Sequence, residues 1–462
     1  MTGDVLECRE IAWMEPLAAF DRWQGLPGLA FLDSAGTLHE RARWAILAAD
    51  PFRILSGRAE ALLVDGAPVD GDPFAVLGRE LARFRLAPGS APVPFAGGAI
   101  GFFGYELAAP LEKLRPRHPD RFGLDDWWLG FYDAVLAFDR AERRAWILSS
   151  GFPQDGPARQ ARAARRADEI QERLAAPAPP PRPALPPIDW RCELPRGEYE
   201  RRVAEVIEHI RAGDIYQANF TGRHLAARPA GLDPAALWLA LRRASPAPFA
   251  AYLAPGADYV LAGASPERFI RLGPDGRIET RPIKGTRPRG ATPAEDMALR
   301  RELAESAKDR AENLMIVDLL RNDIGRVAEI GSVAVEALCE LESFASVHHL
   351  VSSVTGRLRP GLGPADLLCA TLPGGSITGA PKIRAMQIID ALEVARRGPY
   401  CGAVAWIGFD GAMDSSITIR TITVTRDTLI AQAGGGIVAD SDPEAEFEEM
   451  MVKVRPLLLG GG

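Results

Sequence analysis

Tyr400–Phe409, reading YCGAVAWIGF, is followed by Asp410-Gly411 and then by Ser416–Val424, reading SITIRTITV; this stretch decides the fold class. Both runs are rich in apolar and β-branched residues, and the Asp-Gly pair opens a tight turn, so they read as two strands separated by that turn. Within SITIRTITV a regular strand puts Arg420 on the same side as Ile422 and Val424. A guanidinium on a buried side needs an anion, which a core acid or a substrate carboxylate can supply; on an exposed edge it needs none. Downstream, the strand Thr428–Ala431 leads into Ala433-Gly434-Gly435-Gly436-Ile437, and Asp442-Pro443 opens a last helix with an N-cap followed by proline. Upstream, Val203, Val206, Ile207 and Ile210 mark one face of a helix, and Ala294–Leu320 reads as one long helix. Residues 1–175 form a region of mostly β character, with short apolar runs such as Leu29–Leu32 and Ala61–Val64, closing on a charged helix over Pro157–Leu174. Residues 176–188 are a Pro-rich linker, and 189–462 form the second region, where helical and strand patterns alternate. The class is α+β, with strands pairing across long sequence distances.

The chain has 462 residues, 47% hydrophobic and 25% charged, which fits a globular protein with ample core. A net charge of −7 argues against a nucleic-acid binder, whose phosphate contacts need clustered cations. Five scattered cysteines with no CxxC pair suit a reducing cytoplasm and no zinc site. The first residues lack a signal-peptide pattern, and no apolar run is long enough to cross a bilayer. A cytoplasmic protein without membrane contact is expected.

Several constellations could carry chemistry. In Arg281-Pro282-Ile283-Lys284-Gly285-Thr286-Arg287-Pro288-Arg289-Gly290, three arginines flank Lys284. Like charge lowers an amine's pKa, one route to a nucleophile, although a solvated basic loop has the same composition. Glu305, Asp309 and Glu312 share a helix face by spacing, and so do Glu446 and Glu449 on the last helix. Carboxylates from two helices suit Mg²⁺, while two solvated faces fit the spacing equally well. Pro373-Gly374-Gly375-Ser376-Ile377-Thr378-Gly379-Ala380-Pro381-Lys382 and the Gly434–Gly436 run offer backbone amides to an anion or are tight turns only. Neither has P-loop or dinucleotide spacing.

Together these segments resemble the chorismate-utilising enzymes, in particular component I of the aminodeoxychorismate and anthranilate synthases. The resemblance runs from about Tyr199 to Pro456. It includes Gly213-Asp214-Ile215-Tyr216-Gln217, Ser265-Pro266-Glu267-Arg268-Phe269, the Lys284 loop, Glu312–Asp318, His349-Leu350-Val351-Ser352, GGSITGAPK, Arg397–Gly402, Ile419-Arg420-Thr421, Gly434–Gly436 and Glu446–Glu449. Leu32-Asp33-Ser34 and Pro94–Leu107 extend it more weakly into the first region. It implies an anthranilate synthase component I-like α/β/β/α sandwich with a large two-sheet core and a site between the sheets. It assigns Glu312 and Glu449 to Mg²⁺, with Glu446 and Asp309 as further candidates. Gly434, Gly435 and Gly436 would hold the ring carboxylate of chorismate; Tyr400 and Arg420 would hold the enolpyruvyl carboxylate, with Ser376 and Thr378 nearby. His349 would line the ring and Glu267 would protonate the departing hydroxyl.

Two positions discriminate within the family. Water-adding members carry a lysine base where this chain has Gln217, which disfavours isochorismate and salicylate chemistry. Anthranilate synthases usually carry alanine at Lys284; in the aminodeoxychorismate branch this lysine attacks C2 and ammonia then displaces it at C4. The resemblance therefore implies conversion of chorismate and ammonia to 4-amino-4-deoxychorismate, on the route to p-aminobenzoate and folate, with anthranilate synthase as the alternative. No cysteine stands in a Gly-x-Cys-x-Gly elbow, so ammonia would come from a separate glutamine amidotransferase subunit in a heterodimer or from solution. Ser34 marks a candidate amino-acid site in the first region. A non-catalytic sensor is disfavoured because Glu267, Lys284, Glu312 and Glu449 are all present.

Overall fold

The computed structural model describes residues 5–35, 42–58, 61–107, 114, 117–343 and 347–461. Its frame is two 12-stranded sheets in which every described pairing of strands is antiparallel. The first sheet runs from Glu7–Ile11 through Arg144–Ser149, Ala134–Asp139, Trp44–Ala48 and Leu29–Asp33. It continues through Phe249–Ala254, Tyr259–Ser265, Thr421–Thr425 and Thr428–Ile437 to Gln217–Ala227. The second runs from Ala67–Val69 through Ala61–Val64, Arg53–Arg58, Trp127–Tyr132 and Gly98–Phe103. It then passes to Ala403–Gly408, Met413–Ile417, Arg268–Leu272, Arg277–Thr280 and Val347–Arg357, and both Ile283–Pro288 and Ala334–Ser343 pair with the last of these. In each sheet the chain before the Pro-rich stretch supplies five strands on one side and the chain after it the other seven. The joints are Leu29–Asp33 on Phe249–Ala254 and Gly98–Phe103 on Ala403–Gly408. The boundary at 176–188 thus separates stretches of chain, not separate cores; residues 177–190 carry no helix or strand.

Three apolar layers hold this together. Phe102, Trp128, Tyr132, Val135, Trp146 and Leu253 fill the seam between the sheets. Arg196–Arg211, Pro234–Ala244, Lys382–Leu392 and Pro443–Val454 pack on the outer face of the first sheet, and Pro73–Leu81, Ala307–Gly325 and Pro364–Thr371 on that of the second. This is the α/β/β/α sandwich. Covered on both faces, the strand WWLGFY at Trp127–Tyr132 is buried at every position and shows no polar alternation. Each such large side chain contributes on the order of 1.5–3 kcal/mol by leaving water. Among the described residues, no helix is long and apolar enough to cross a membrane.

Local expectations fare unevenly. Val203, Val206 and Ile207 are buried on Arg196–Arg211, and Asp442 caps Pro443–Val454 by accepting from the Ala445 amide at 2.9 Å. The helical segment expected over Pro157–Leu174 spans Gly156–Ala175. SITIRTITV is not one strand, however. Met413–Ile417 belongs to the second sheet and Thr421–Thr425 to the first, and the chain crosses between them at 418–420 with Arg420 at φ +51°. Ala294–Leu320 is also two helices: Pro293–Glu305 ends, and Ser306 caps Ala307–Gly325 by accepting from the Asp309 amide at 3.2 Å. The glycine run is strand rather than turn, since Thr428–Ile437 continues through it.

Candidate active site

The second sheet's edge at Lys284, the first sheet's glycine run and the helices Ala307–Gly325 and Pro443–Val454 come together around one site. Lys284 feels the charges of Glu267, Glu312, Glu449 and Lys453, and Gly435 lies against Glu446 and Glu449. Lys284 lies on Ile283–Pro288 opposite Leu350, and its Nζ donates to the Ser376 carbonyl at 3.4 Å. The strand bulges just after it, at Gly285, whose φ is +70°. A side chain there would meet Leu303 Cδ1 at 2.8 Å and the Asp309 carboxyl carbon at 2.9 Å, so glycine is required both by conformation and by space. Burial lowers the Lys284 pKa, while Glu267, Glu312 and Glu449 pull it back up and Lys453 adds to the lowering. The three arginines expected to depress it are spent elsewhere: Arg281 on Glu342, Arg287 on Glu302 and Asp309, Arg289 on Asp296. Desolvation, not arginine repulsion, makes this amine a better nucleophile.

Glu267 begins the turn into Arg268–Leu272. Burial raises its pKa, against Lys284, the Ser376 hydroxyl and the Ile283 amide, all of which favour the ionised form. A carboxyl whose pKa is pushed up near an amine whose pKa is pushed down is the pairing that acid catalysis and nucleophilic attack favour together. His349 is on the same ribbon, paired with Thr286, whose hydroxyl lies 2.9 Å from its Nδ1. Ser376 faces the pair. Thr378 is fully buried and its hydroxyl donates to the Gly374 carbonyl at 2.9 Å, so it holds the loop's shape and does not offer that proton to the cleft.

On the other side, Gly434, Gly435 and Gly436 pair with Thr221, Phe220 and Asn219 along one edge. Along the opposite edge Thr421–Thr425 reaches only Ala431, so among the described residues the glycine run has no strand partner there. A Cβ on Gly435 would stand 2.9 Å from Glu446 Oε2 and 3.3 Å from Glu449 Oε1. Glu446 is buried, accepts from the Ser441 hydroxyl at 2.6 Å, and is raised by burial and by Glu449. Burial also pushes Glu449 up, but Lys453, bonded to it at 2.6 Å, outweighs this and holds its pKa low. Glu312, from the helix across the cleft, is raised by burial and by Asp309 and Glu449. Glu449 therefore lies near enough to Glu312 to raise it, and carboxylate oxygens are the ligands Mg²⁺ takes, with waters and substrate oxygens completing its shell. Among the described residues no group of three or more His, Cys, Asp or Glu is placed to hold a metal ion by itself. Any Mg²⁺ held by Glu312 and Glu449 would have to take most of its ligands from water and substrate. Asp309 stands aside, paired with Arg287 at 3.4 Å, and Glu305 lies on the preceding helix, exposed and paired with Arg301 at 3.4 Å.

Tyr400 is buried, which pushes its hydroxyl pKa well up, and the neighbouring Cys401 amide is tied to the Thr418 carbonyl at 2.8 Å. Arg420 is mostly buried, its pKa lowered by desolvation, and it donates to Ser245 Oγ at 3.3 Å. Among the described residues it has no carboxylate within ion-pair distance. Gln217 is buried with Nε2 filling the space where a Gly436 side chain would be; among the described residues its Oε1 has no hydrogen-bond partner. The sequence reading missed Lys453, whose Nζ bonds both Glu449 and the Gly434 carbonyl, the latter at 3.0 Å. Its signal was the four-residue step from Glu449. Ser34 lies apart, donating to the Trp44 and Pro248 carbonyls at the wall of a separate cavity of about 160 Å³.

Residues 32–459 match the family of chorismate binding enzymes, and the chain belongs to it. It is 44% identical to aminodeoxychorismate synthase component 1 of Klebsiella aerogenes over 437 residues, covering 94% of this chain and 93% of that one. It is 41% identical to anthranilate synthase component 1 of Streptomyces coelicolor, covering 85% and 78%. The solved anthranilate synthase component I of Streptococcus pneumoniae superposes with a TM-score of 0.82 at 32% identity, covering 96% of this chain and 97% of that one.

Proposed function

We propose that this chain aminates chorismate at C4, as the chorismate-converting component of an aminodeoxychorismate synthase, with ammonia supplied by a glutamine amidotransferase subunit. The relatives named aminodeoxychorismate synthase component 1 are 41–44% identical and those named anthranilate synthase component 1 are 36–41%, and within the site the reading is carried by the Lys284 amine, depressed by burial, near the raised carboxyl of Glu267. In this reading Arg420 and Tyr400 bind the enolpyruvyl carboxylate, and the open edge of Gly434–Gly436 with Lys453 binds the ring carboxylate. Glu312 and Glu449 would hold Mg²⁺, with Glu446 beside them; when bound, the ion supplies positive charge to that same carboxylate. Glu267 gives its proton to the C4 oxygen, which leaves as water while the Lys284 nitrogen bonds to C2 and both ring double bonds shift, from C1–C2 to C1–C6 and from C5–C6 to C4–C5. Ammonia then bonds to C4, the C2–N bond breaks, and the lysine recovers its electron pair. The covalent amine blocks C2 and so directs ammonia to C4. Ser34, beside the partnerless Oδ1 of Asp33, is assigned to a separate amino-acid site.

The test is product identification with chorismate, Mg²⁺ and ammonium salts. Aminodeoxychorismate is expected; anthranilate with pyruvate would overturn the assignment. With ammonia omitted, the protein should gain the mass of chorismate minus water at Lys284, and Lys284→Ala should gain nothing.

A further inference from the structure

The outer edge of Gln217–Ala227 is completed by side chains. Gly379–Ala380 pairs with Gln217 and Ala218 at one end, and Arg191–Cys192 with Leu225 and His224 at the other. The Asn219 amide reaches the Thr378 carbonyl at 2.7 Å, and the Arg223 carbonyl accepts from the Glu193 amide at 2.8 Å. Between these points the Asn219 carbonyl and the Thr221 amide meet no strand. One ion pair satisfies both. Arg397 Nη2 donates to the Asn219 carbonyl at 2.6 Å; Glu393 Oε1 accepts from the Thr221 amide at 3.0 Å and its hydroxyl at 2.7 Å. The two side chains bond each other at 2.7 and 2.9 Å. Arg397 is 2% exposed and Glu393 5%.

A buried ion pair is a weak source of stability, because desolvating two charges offsets most of their attraction. The reach of this one is what distinguishes it. Arg397 Nη1 donates to the Ile377 carbonyl at 2.8 Å, between Ser376 and Thr378. Asn219 and Thr221 are the strand partners of Gly436 and Gly434. The backbone amides of Arg397 and Gly398 both donate to the Glu106 carboxylate at 2.8 Å, fixing the turn that carries Tyr400. The guanidinium also stacks 4.5 Å from the Tyr105 ring centroid. One side chain is thus bonded to the loop of Ser376 and to the strand behind the glycine run, while its own backbone anchors the Tyr400 turn.

The geometry points to Arg397, clamped by Glu393, as a positioning residue that sets the spacing between the two carboxylate-binding sides of the cleft. This rests on the chorismate reading above. Arg397 touches no substrate atom; it acts through Ile377, Asn219 and the backbone leading to Tyr400. Lysine cannot replace it, since one ammonium lacks the planar fork that serves Glu393, Ile377 and Asn219 together.

Arg397→Lys tests this by steady-state kinetics alongside thermal melts. Misplaced carboxylate contacts remove ground-state and transition-state binding alike, so KM for chorismate should rise about tenfold or more with kcat changed less than about threefold. The double variant Arg397→Met with Glu393→Leu removes both charges and leaves no orphan ion. It should melt lower than the wild type, because the Asn219 and Ile377 carbonyls and the Thr221 amide lose their partners, and while folded it should keep the raised KM; a folded double variant with wild-type KM reduces the pair to packing and overturns the assignment. If the double variant does not fold, Glu393→Gln serves, with raised KM expected and unchanged KM fatal. A wild-type chain that does not turn over chorismate defeats the functional reading instead. Hydrogen exchange then decides the positioning role: amides 375–379 should exchange faster in Arg397→Lys while Ala134–Asp139 is unchanged, and undiminished protection at 375–379 would overturn it.

Discussion

Replacing Arg420 with methionine should make the protein more stable and a far worse enzyme. Arg420 is mostly buried at the crossing between sheets, and among the described residues it donates to the neutral hydroxyl of Ser245 and meets no carboxylate. A buried charge so poorly matched costs stability, so a methionine of similar length should recover about 1–3 kcal/mol. The backbone at φ +51° is equally strained for both residues, and that cost cancels. With substrate present the sign reverses. A guanidinium–carboxylate fork makes two charge-assisted bonds of about 1.5–3 kcal/mol each, and their loss corresponds to roughly 10²–10⁴ in kcat/KM. Chemical denaturation without ligand gives the first quantity, and initial rates over a range of chorismate give the second. An Arg420→Met protein that is less stable than wild type, with kcat/KM within about threefold, would show that the arginine is structural and the carboxylate lies elsewhere.

Chelation by EDTA should abolish turnover and Mg²⁺ restore it, and Glu312→Gln or Glu449→Gln should raise the Mg²⁺ concentration for half-maximal rate at least about tenfold by removing an anionic ligand. Full activity in EDTA refutes the cation site. Lys284→Ala should aminate at C4 about a hundredfold more slowly, if covalent catalysis is worth about 3 kcal/mol, and leak 2-amino product; wild-type rate and product would make the lysine a bystander. The kcat/KM profile, taken at fixed free ammonia, should be bell-shaped. Neutral Lys284 is lost as pH falls through its lowered pKa, and protonated Glu267 is lost as pH rises through its raised one, so both shifts enlarge the competent fraction. Glu267→Gln should remove the alkaline limb along with most of the rate. The isolated chain should use ammonium salts and not glutamine; glutamine-dependent turnover by this chain alone would reveal an amidase within it.

How much was legible depended on whether a feature is local. The Asp442-Pro443 cap, the apolar face of Arg196–Arg211 and the Asp410-Gly411 turn are written in neighbouring residues, and the structure has them. The crossing at Arg420 was not, because strands covered on both faces are apolar throughout and nothing in SITIRTITV marks a change of sheet. The break at Ser306 hides in an unbroken run of helix formers, with only Ser306 before Asp309 as a capping cue. For Lys284 the charge neighbours were visible but not their partners: Arg281 answers to Glu342, distant in sequence. Family motifs located the acids and the glycines, whereas the Glu393–Arg397 pair has the same four-residue spacing as any solvated helix pair. Burial alone distinguishes it.

The joints between the halves of each sheet have a practical corollary for anyone cutting the gene. Severed within 176–188, each fragment would present two bare strand edges: Leu29–Asp33 and Gly98–Phe103 on one, Phe249–Ala254 and Ala403–Gly408 on the other. Unpaired edges of that kind recruit other chains, so either fragment alone should aggregate. Expressed together they carry each other's missing neighbours in register, and the break falls where no backbone ladder runs. A nicked protein or a co-expressed pair should therefore reassemble, which makes the Pro-rich stretch a natural place for a split reporter or an inserted domain.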